Sequence, residues 1–208
     1  MYNFASPYRN YVNANDYLNV PLRRKRSWMC RLFFCGPGSL VSSCDDGIIF
    51  DYMPHSFLNR GNIDFFDGYR TLTIYGTKAP ARWIRGDIEQ IIEKNSGDIL
   101  AESVMMPSNC TRTGNLKDCN CFEVKTQNTS YYIHAKYKVF CPIPFIKFEL
   151  IDESSYIITL EDENYNIIMS ARPWTQFDGI TLHQKCEEVD VLLPMFFSYS
   201  ARVHLLKP

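Results

Sequence analysis

Residues 131–139 read Tyr131-Tyr132-Ile133-His134-Ala135-Lys136-Tyr137-Lys138-Val139. Ile133, Ala135, Tyr137 and Val139 fall on one side of an extended chain, and His134, Lys136 and Lys138 on the other. Successive side chains of a strand point to opposite faces, so this alternation marks a half-buried β-strand. The pattern continues outward in both directions. Downstream, Ile146, Phe148 and Leu150 alternate with Lys147 and Glu149, and strands follow at 156–161 and 166–172, parted by the polar turn Glu161-Asp162-Glu163-Asn164. Upstream, 69–75 is β-rich, and 98–106 sets Ile99, Ala101, Ser103 and Met105 against Glu102. Short strands with tight polar turns predict an antiparallel meander, closed as an up-and-down barrel or folded as a sandwich.

One stretch argues for a helix. Over residues 181–193, Leu182, Cys186, Val189 and Leu193 recur at helical spacing, and Pro194 ends the run. Residues 1–61 differ from the rest, with Pro7, Pro21, Pro37 and Pro54, clustered Asn and short apolar patches. They read as an irregular extension that wraps or caps a main unit over 62–208.

Composition narrows the function classes. The 208 residues are 46% apolar and 22% charged, enough for one packed domain and inconsistent with wholesale disorder. A net charge of −1 argues against nucleic acid, which is bound through a strong positive field. No apolar run is long enough for a transmembrane helix. The polar start is not a conventional signal peptide. Arg23-Arg24-Lys25-Arg26 before an apolar stretch has the order of a signal sequence, a dibasic site or a nuclear address, with a solvated charge cluster in a mobile arm as the commoner meaning. Eight cysteines and two Asn-x-Ser/Thr triplets, at Asn109 and Asn128, lean towards a secreted, lumenal or vacuolar setting without setting the cytoplasm aside. Nothing in the sequence fixes the oligomeric state, and a homo-oligomer is compatible with it.

The layout resembles the lipocalin family over about residues 62–193. The first motif of that family, a lead-in and Gly-x-Trp, is matched by Asn62 to Gly68 and the strand to Tyr75, with Arg70 in the place of the Trp. The family's closing strand motif is similar to Ser170-Ala171-Arg172-Pro173. The resemblance implies an eight-stranded antiparallel barrel with one C-terminal helix on its outer wall. Gly68 and Arg172 would then meet at a closed end. It further implies a disulfide from Cys186 to Cys110, Cys119 or Cys121.

In that frame the ligand-facing set is Leu72, Ile74, Ile133, Ala135, Tyr137, Phe148, Ile158, Ile168 and Ser170, the last two by parity with Arg172. The implied function is carriage of a small hydrophobic ligand in the barrel: a lipid, an isoprenoid or a tetrapyrrole such as haem. Met105, Met106 and Trp83 suit such a guest. The alternative is a structural or interaction subunit with a filled barrel, tethered by its N-terminal arm. His134 and Lys136 belong on the outer wall, with haem ligation or anion binding as the rarer reading. No His pair has zinc spacing, Cys119-Asn120-Cys121 is not Cys-x-x-Cys, and no nucleophile elbow or phosphate-cradling Gly loop occurs. A non-enzymatic protein without a resident cofactor or metal is expected.

Overall fold

A computed structural model describes residues 9–26, 37–55, 62–76, 88–106, 119–136, 158–172 and 179–203. Twelve strands follow one another: β1 (Pro21–Arg26), β2 (Gly38–Ser42), β3 (Ile48–Pro54), β4 (Ile63–Phe66), β5 (Thr71–Gly76), β6 (Ile88–Glu93), β7 (Ile99–Met105), β8 (Cys119–Thr126), β9 (Ser130–Lys136), β10 (Ile158–Glu161), β11 (Ile167–Arg172) and β12 (Gly179–Leu182). Each pairs antiparallel with its neighbours in sequence, and β1 pairs with β12, so the sheet closes on itself. The meander and the barrel agree with the expectation, but the strands number twelve where eight were expected.

Three of the additional strands come from the segment read as irregular. Residues 21–54 hold β1, β2 and β3, and Arg23–Arg26 belongs to a strand of the wall. Among the described residues of that segment, the stretch before β1 behaves as a cap. Val12 N–H donates to the Ile48 carbonyl at 2.9 Å, a 3-10 turn spans Ala14–Tyr17 under an Asn13 cap, and Asn19 N–H donates to the Leu182 carbonyl at 2.7 Å. Residues 11–20 thus form a strap from β3 to β12 across one end of the barrel.

The helix also departs from expectation. Residues 179–182 are β12, and the helix α1 runs Val189–Val203 with Pro194 inside it. Its fill is apolar nearly all round: Leu192, Leu193, Met195, Phe196, Phe197 and Tyr199 are buried. A helix apolar on every face needs an enclosing core. Phe197 meets Phe50 and Tyr52 of β3 and Phe65 of β4, with ring centroids 5.4, 4.7 and 5.8 Å away. Tyr199 meets Phe122 of β8 at 4.6 Å and hydrogen-bonds Ser103 of β7 at 2.6 Å. One helix touching β3, β4, β7 and β8 lies inside the barrel and not on its outer wall. The reason is dimensional. Barrel diameter grows with strand number, so twelve strands enclose a lumen about one and a half times as wide as eight. A side-chain-clad helix about 10–12 Å across fills it.

Register fixes which side chains face α1. Phe50 pairs with Leu40, Phe65 with Leu72, Ile63 with Ile74, Ile74 with Ile91, Ile133 with Phe122, Ile158 with Ala171 and Leu160 with Met169, all buried. Arg24 of β1 shares this face through its pair with Leu40, and its guanidinium lies 4.6 Å from the Phe197 ring centroid and donates to Ser200 Oγ at 3.1 Å. Among the described residues, no helix is long and apolar enough to cross a membrane.

Candidate functional site

With the lumen occupied, the described residues form a groove of about 420 Å³ at the end where α1 enters. Its first wall is the turn Asp67-Gly68-Tyr69-Arg70 between β4 and β5. Asp67 Oδ1 accepts from the backbone N–H of Tyr69 at 2.9 Å and of Arg70 at 3.0 Å, which fixes the turn. Gly68 has φ +95° and faces the Tyr11 ring so closely that a Cβ would lie 2.6 Å from Tyr11 Cδ2. Backbone hand and close approach both require glycine there.

The second wall is the strap. Tyr11 packs edge-on to Phe66, and its hydroxyl donates to Asp51 Oδ2 at 2.7 Å. Burial, together with that carboxylate, raises the phenol above its ordinary range, so it stays a protonated donor. Arg9 and Ser39 donate to the same Asp51, each at 2.5 Å.

The third wall is the start of α1. Arg70 ion-pairs with Asp67 and with Asp190 in the helix's first turn, joining the β4–β5 turn to the helix entry. Glu188 accepts from Thr126 Oγ1 at 2.9 Å and Asn128 Nδ2 at 3.2 Å. Asn15 donates to the Cys186 carbonyl at 2.9 Å and accepts from its N–H at 3.0 Å. The acidic residues also suit the positive end of the helix dipole. The groove floor is apolar, with Phe50, Phe65, Leu72, Val189 and Leu193. Its rim carries Asp67, Glu187 and Asp190, and Tyr69 stands 92% exposed at the lip.

The expected site residues separate into three groups. Leu72 lines this groove, while Ile74, Ile133 and Ile158 are buried on the lumen face; Ile168 is buried as well. Ser170 lies on the opposite face, because it pairs with Thr159 and Thr181 while its neighbours Met169 and Ala171 pair with Leu160 and Ile158; its hydroxyl is 2.8 Å from His183 Nε2. Ala135 pairs with Ile158 in the sheet. Tyr137 and Phe148 lie outside the described residues.

Gly68 and Arg172 do not meet. Gly68 precedes β5, and Arg172 ends β11, six antiparallel steps on, so β5 and β11 run the same way. The start of one and the end of the other are therefore at opposite ends of the barrel.

The disulfide expectation is also corrected. Cys44, Cys121 and Cys186 are free thiols, and Cys186 Sγ lies 3.6 Å from the Tyr131 hydroxyl. Among the described residues, no group of three or more His, Cys, Asp and Glu side chains is arranged to hold a metal ion. No protein-family model, curated protein or solved structure matches the chain.

Sequence reasoning missed Asn15, Arg70 as a clamp, and the acidic start of α1. The signal for the turn was present, since Asp-Gly marks a chain reversal. The strap and the helix entry are too far apart in sequence for any local pattern to join them.

Proposed function

We propose that this protein is a non-enzymatic binding module whose ligand sits at the mouth of the barrel and not in its lumen. The observation that carries the reading is the position of α1, which takes the space a carrier would leave for its guest. The small, mainly apolar ligand expected from the sequence is thereby relocated to the groove. A volume of about 420 Å³ suits a small molecule. An apolar floor under Asp67, Glu187 and Asp190, with Arg70 as the neighbouring cation, favours an apolar body with a positively charged end.

The test compares an arylalkyl amine with the carboxylic acid of the same carbon skeleton. The amine should raise the thermal midpoint saturably, as any ligand of the native state does. The acid should not, and Glu187→Gln and Tyr69→Ala should weaken the amine's effect without moving the unliganded midpoint. If neither compound acts, the filled lumen favours the second reading, a structural or interaction subunit with no small ligand.

A further inference from the structure

The outer wall carries a cluster that the groove does not use. Register sets Cys121 of β8 directly opposite His134 of β9, and Met106, just past β7, donates its N–H to the Cys121 carbonyl at 2.8 Å. Three consecutive strands thus present a thioether, a thiol and an imidazole in one row, on the face that points away from α1. Cys121 Sγ lies 3.7 Å from Met106 Sδ and 3.8 Å from His134 Nε2. Cys121 is 1% and His134 8% exposed, and Met106 is half-buried.

The two spacings about Cys121 Sγ are close to those that a bound ion sets. An ion in trigonal geometry, about 2.3 Å from each sulfur and about 2.0 Å from nitrogen, sets the sulfurs about 4.0 Å apart and sulfur to nitrogen about 3.7 Å. We propose that Met106, Cys121 and His134 form a binding site for a soft monovalent metal ion, Cu(I). Two features select that ion. A thioether joined to a thiolate is a soft donor pair, of the kind that prefers Cu(I) over harder divalent ions. A thiolate with a monovalent cation is also neutral overall, which suits a buried site better than a residual charge. Binding replaces the thiol proton by the metal, so Cys–SH and Cu(I) yield Cys–S–Cu and one proton, with no change of oxidation state. His134 contributes the Nε2 lone pair. In the metal-free protein that nitrogen also lies 3.5 Å from Glu161 Oε2, and Glu161 Oε1 accepts from Thr159 Oγ1 at 3.0 Å. The released proton passes to solvent.

The test must separate this site from the other cysteines, and Met106 does so. The full chain is titrated anaerobically with Cu(I) against a chromophoric Cu(I) chelator, and with Ag(I) while the methionine methyl carbons are followed by NMR. One equivalent of Ag(I) should shift the Met106 methyl signal, assigned through Met106→Leu. Met106→Leu should weaken the tightest Cu(I) equivalent by about tenfold or more, the least expected for losing a metal contact. Cys121→Ser should abolish that equivalent. Leu conserves the volume of Met, so Met106→Leu tests the site even if Cys121→Ser does not fold. An unmoved Met106 methyl, wild-type affinity in Met106→Leu, or tighter binding of Zn(II) than of Cu(I) would overturn the proposal.

Discussion

Phe197 and Tyr199 stand two residues apart on α1 and reach opposite walls of the barrel. Two helical steps turn the chain by about 200°, so side chains at this spacing point away from each other. Phe197 stacks edge-on against Phe50 and Phe65 and lies under the Arg24 guanidinium, whereas Tyr199 hydrogen-bonds Ser103 and packs on Phe122. The helix is therefore a central post that ties the two halves of the sheet.

Phe197→Ala should lower stability by about 3–5 kcal/mol, the range for removing a fully enclosed aromatic side chain. Tyr199→Phe keeps the ring and removes one buried hydrogen bond, so its cost should be about 1–2 kcal/mol. Urea denaturation of both variants checks the ratio. Equal small losses would mean that the helix is not enclosed.

Asn15→Ala removes both hydrogen bonds that hold Cys186 to the strap, and should destabilise by about 1–3 kcal/mol. The consequence should be local first. Burial raises the Cys186 thiol above its ordinary pKa, so the native protein should resist alkylation at this residue. In Asn15→Ala, Cys186 should react with iodoacetamide well before global unfolding, as read by peptide mapping. The pH dependence has a definite sign. A thiol with a raised folded pKa favours the folded state fully below the ordinary value of 9.0 and loses that contribution as pH rises towards the folded value.

Asp64 sets an acid limit. Burial alone would raise its carboxyl, but hydrogen bonds from Thr73 at 2.5 Å, His55 at 2.8 Å and Lys94 at 3.0 Å outweigh it and hold the pKa below the usual 3.8. A depressed folded pKa contributes stability that is complete above the ordinary carboxylate range and is lost as pH falls through the folded value. Asp64→Asn should therefore flatten the acid limb of the stability profile below about pH 4. It should also be less stable than wild type at neutral pH, because Lys94 loses its partner. Denaturation midpoints between about pH 2 and pH 7 measure both effects.

The residues that revealed their structure in sequence are those whose side chains alternate between the lumen face and the outer face. Tyr131 and Ile133 face the helix and His134 faces away, as the pattern at 131–139 predicts. β1 concealed itself because the lumen-facing member of its charge run is Arg24. Charge alternation cannot reveal a strand when the half-buried lumen-facing position carries a cation satisfied by Ser200 and an aromatic face. A C-terminal helix was legible, but the expected span 181–193 shares only residues 189–193 with α1, and the rest was hidden for the opposite reason. A helix buried on all sides has no polar face and no amphipathic period, and Pro194 reads as a terminator, although here it costs only the hydrogen bond to the Asp190 carbonyl within a packed lumen. The groove joins residues from the strap, three strands, a turn and the helix start, and only the closed barrel brings them together.

Parity on β11 gives the most economical test of which face looks inward. Ser170 was expected to point into the barrel, but its register with Thr159 and Thr181 puts it on the outer wall beside His183. Its neighbour Met169 is fully buried and pairs with Leu160. Met169→Ala should thus cost about 2–5 kcal/mol, since the packed helix leaves little room for the core to collapse. Ser170→Ala should cost no more than about 0.5–1.5 kcal/mol, the net worth of one partly exposed hydrogen bond. Ser170→Phe should likewise leave the core intact, because the added ring projects outward, where overpacking has nothing to strain against. Thermal midpoints of the three variants, taken with near-UV circular dichroism of the buried aromatics, decide the matter. If Ser170→Phe disrupts the aromatic signal as severely as Met169→Ala, then Ser170 faces α1 and the register of β11 is shifted by one residue.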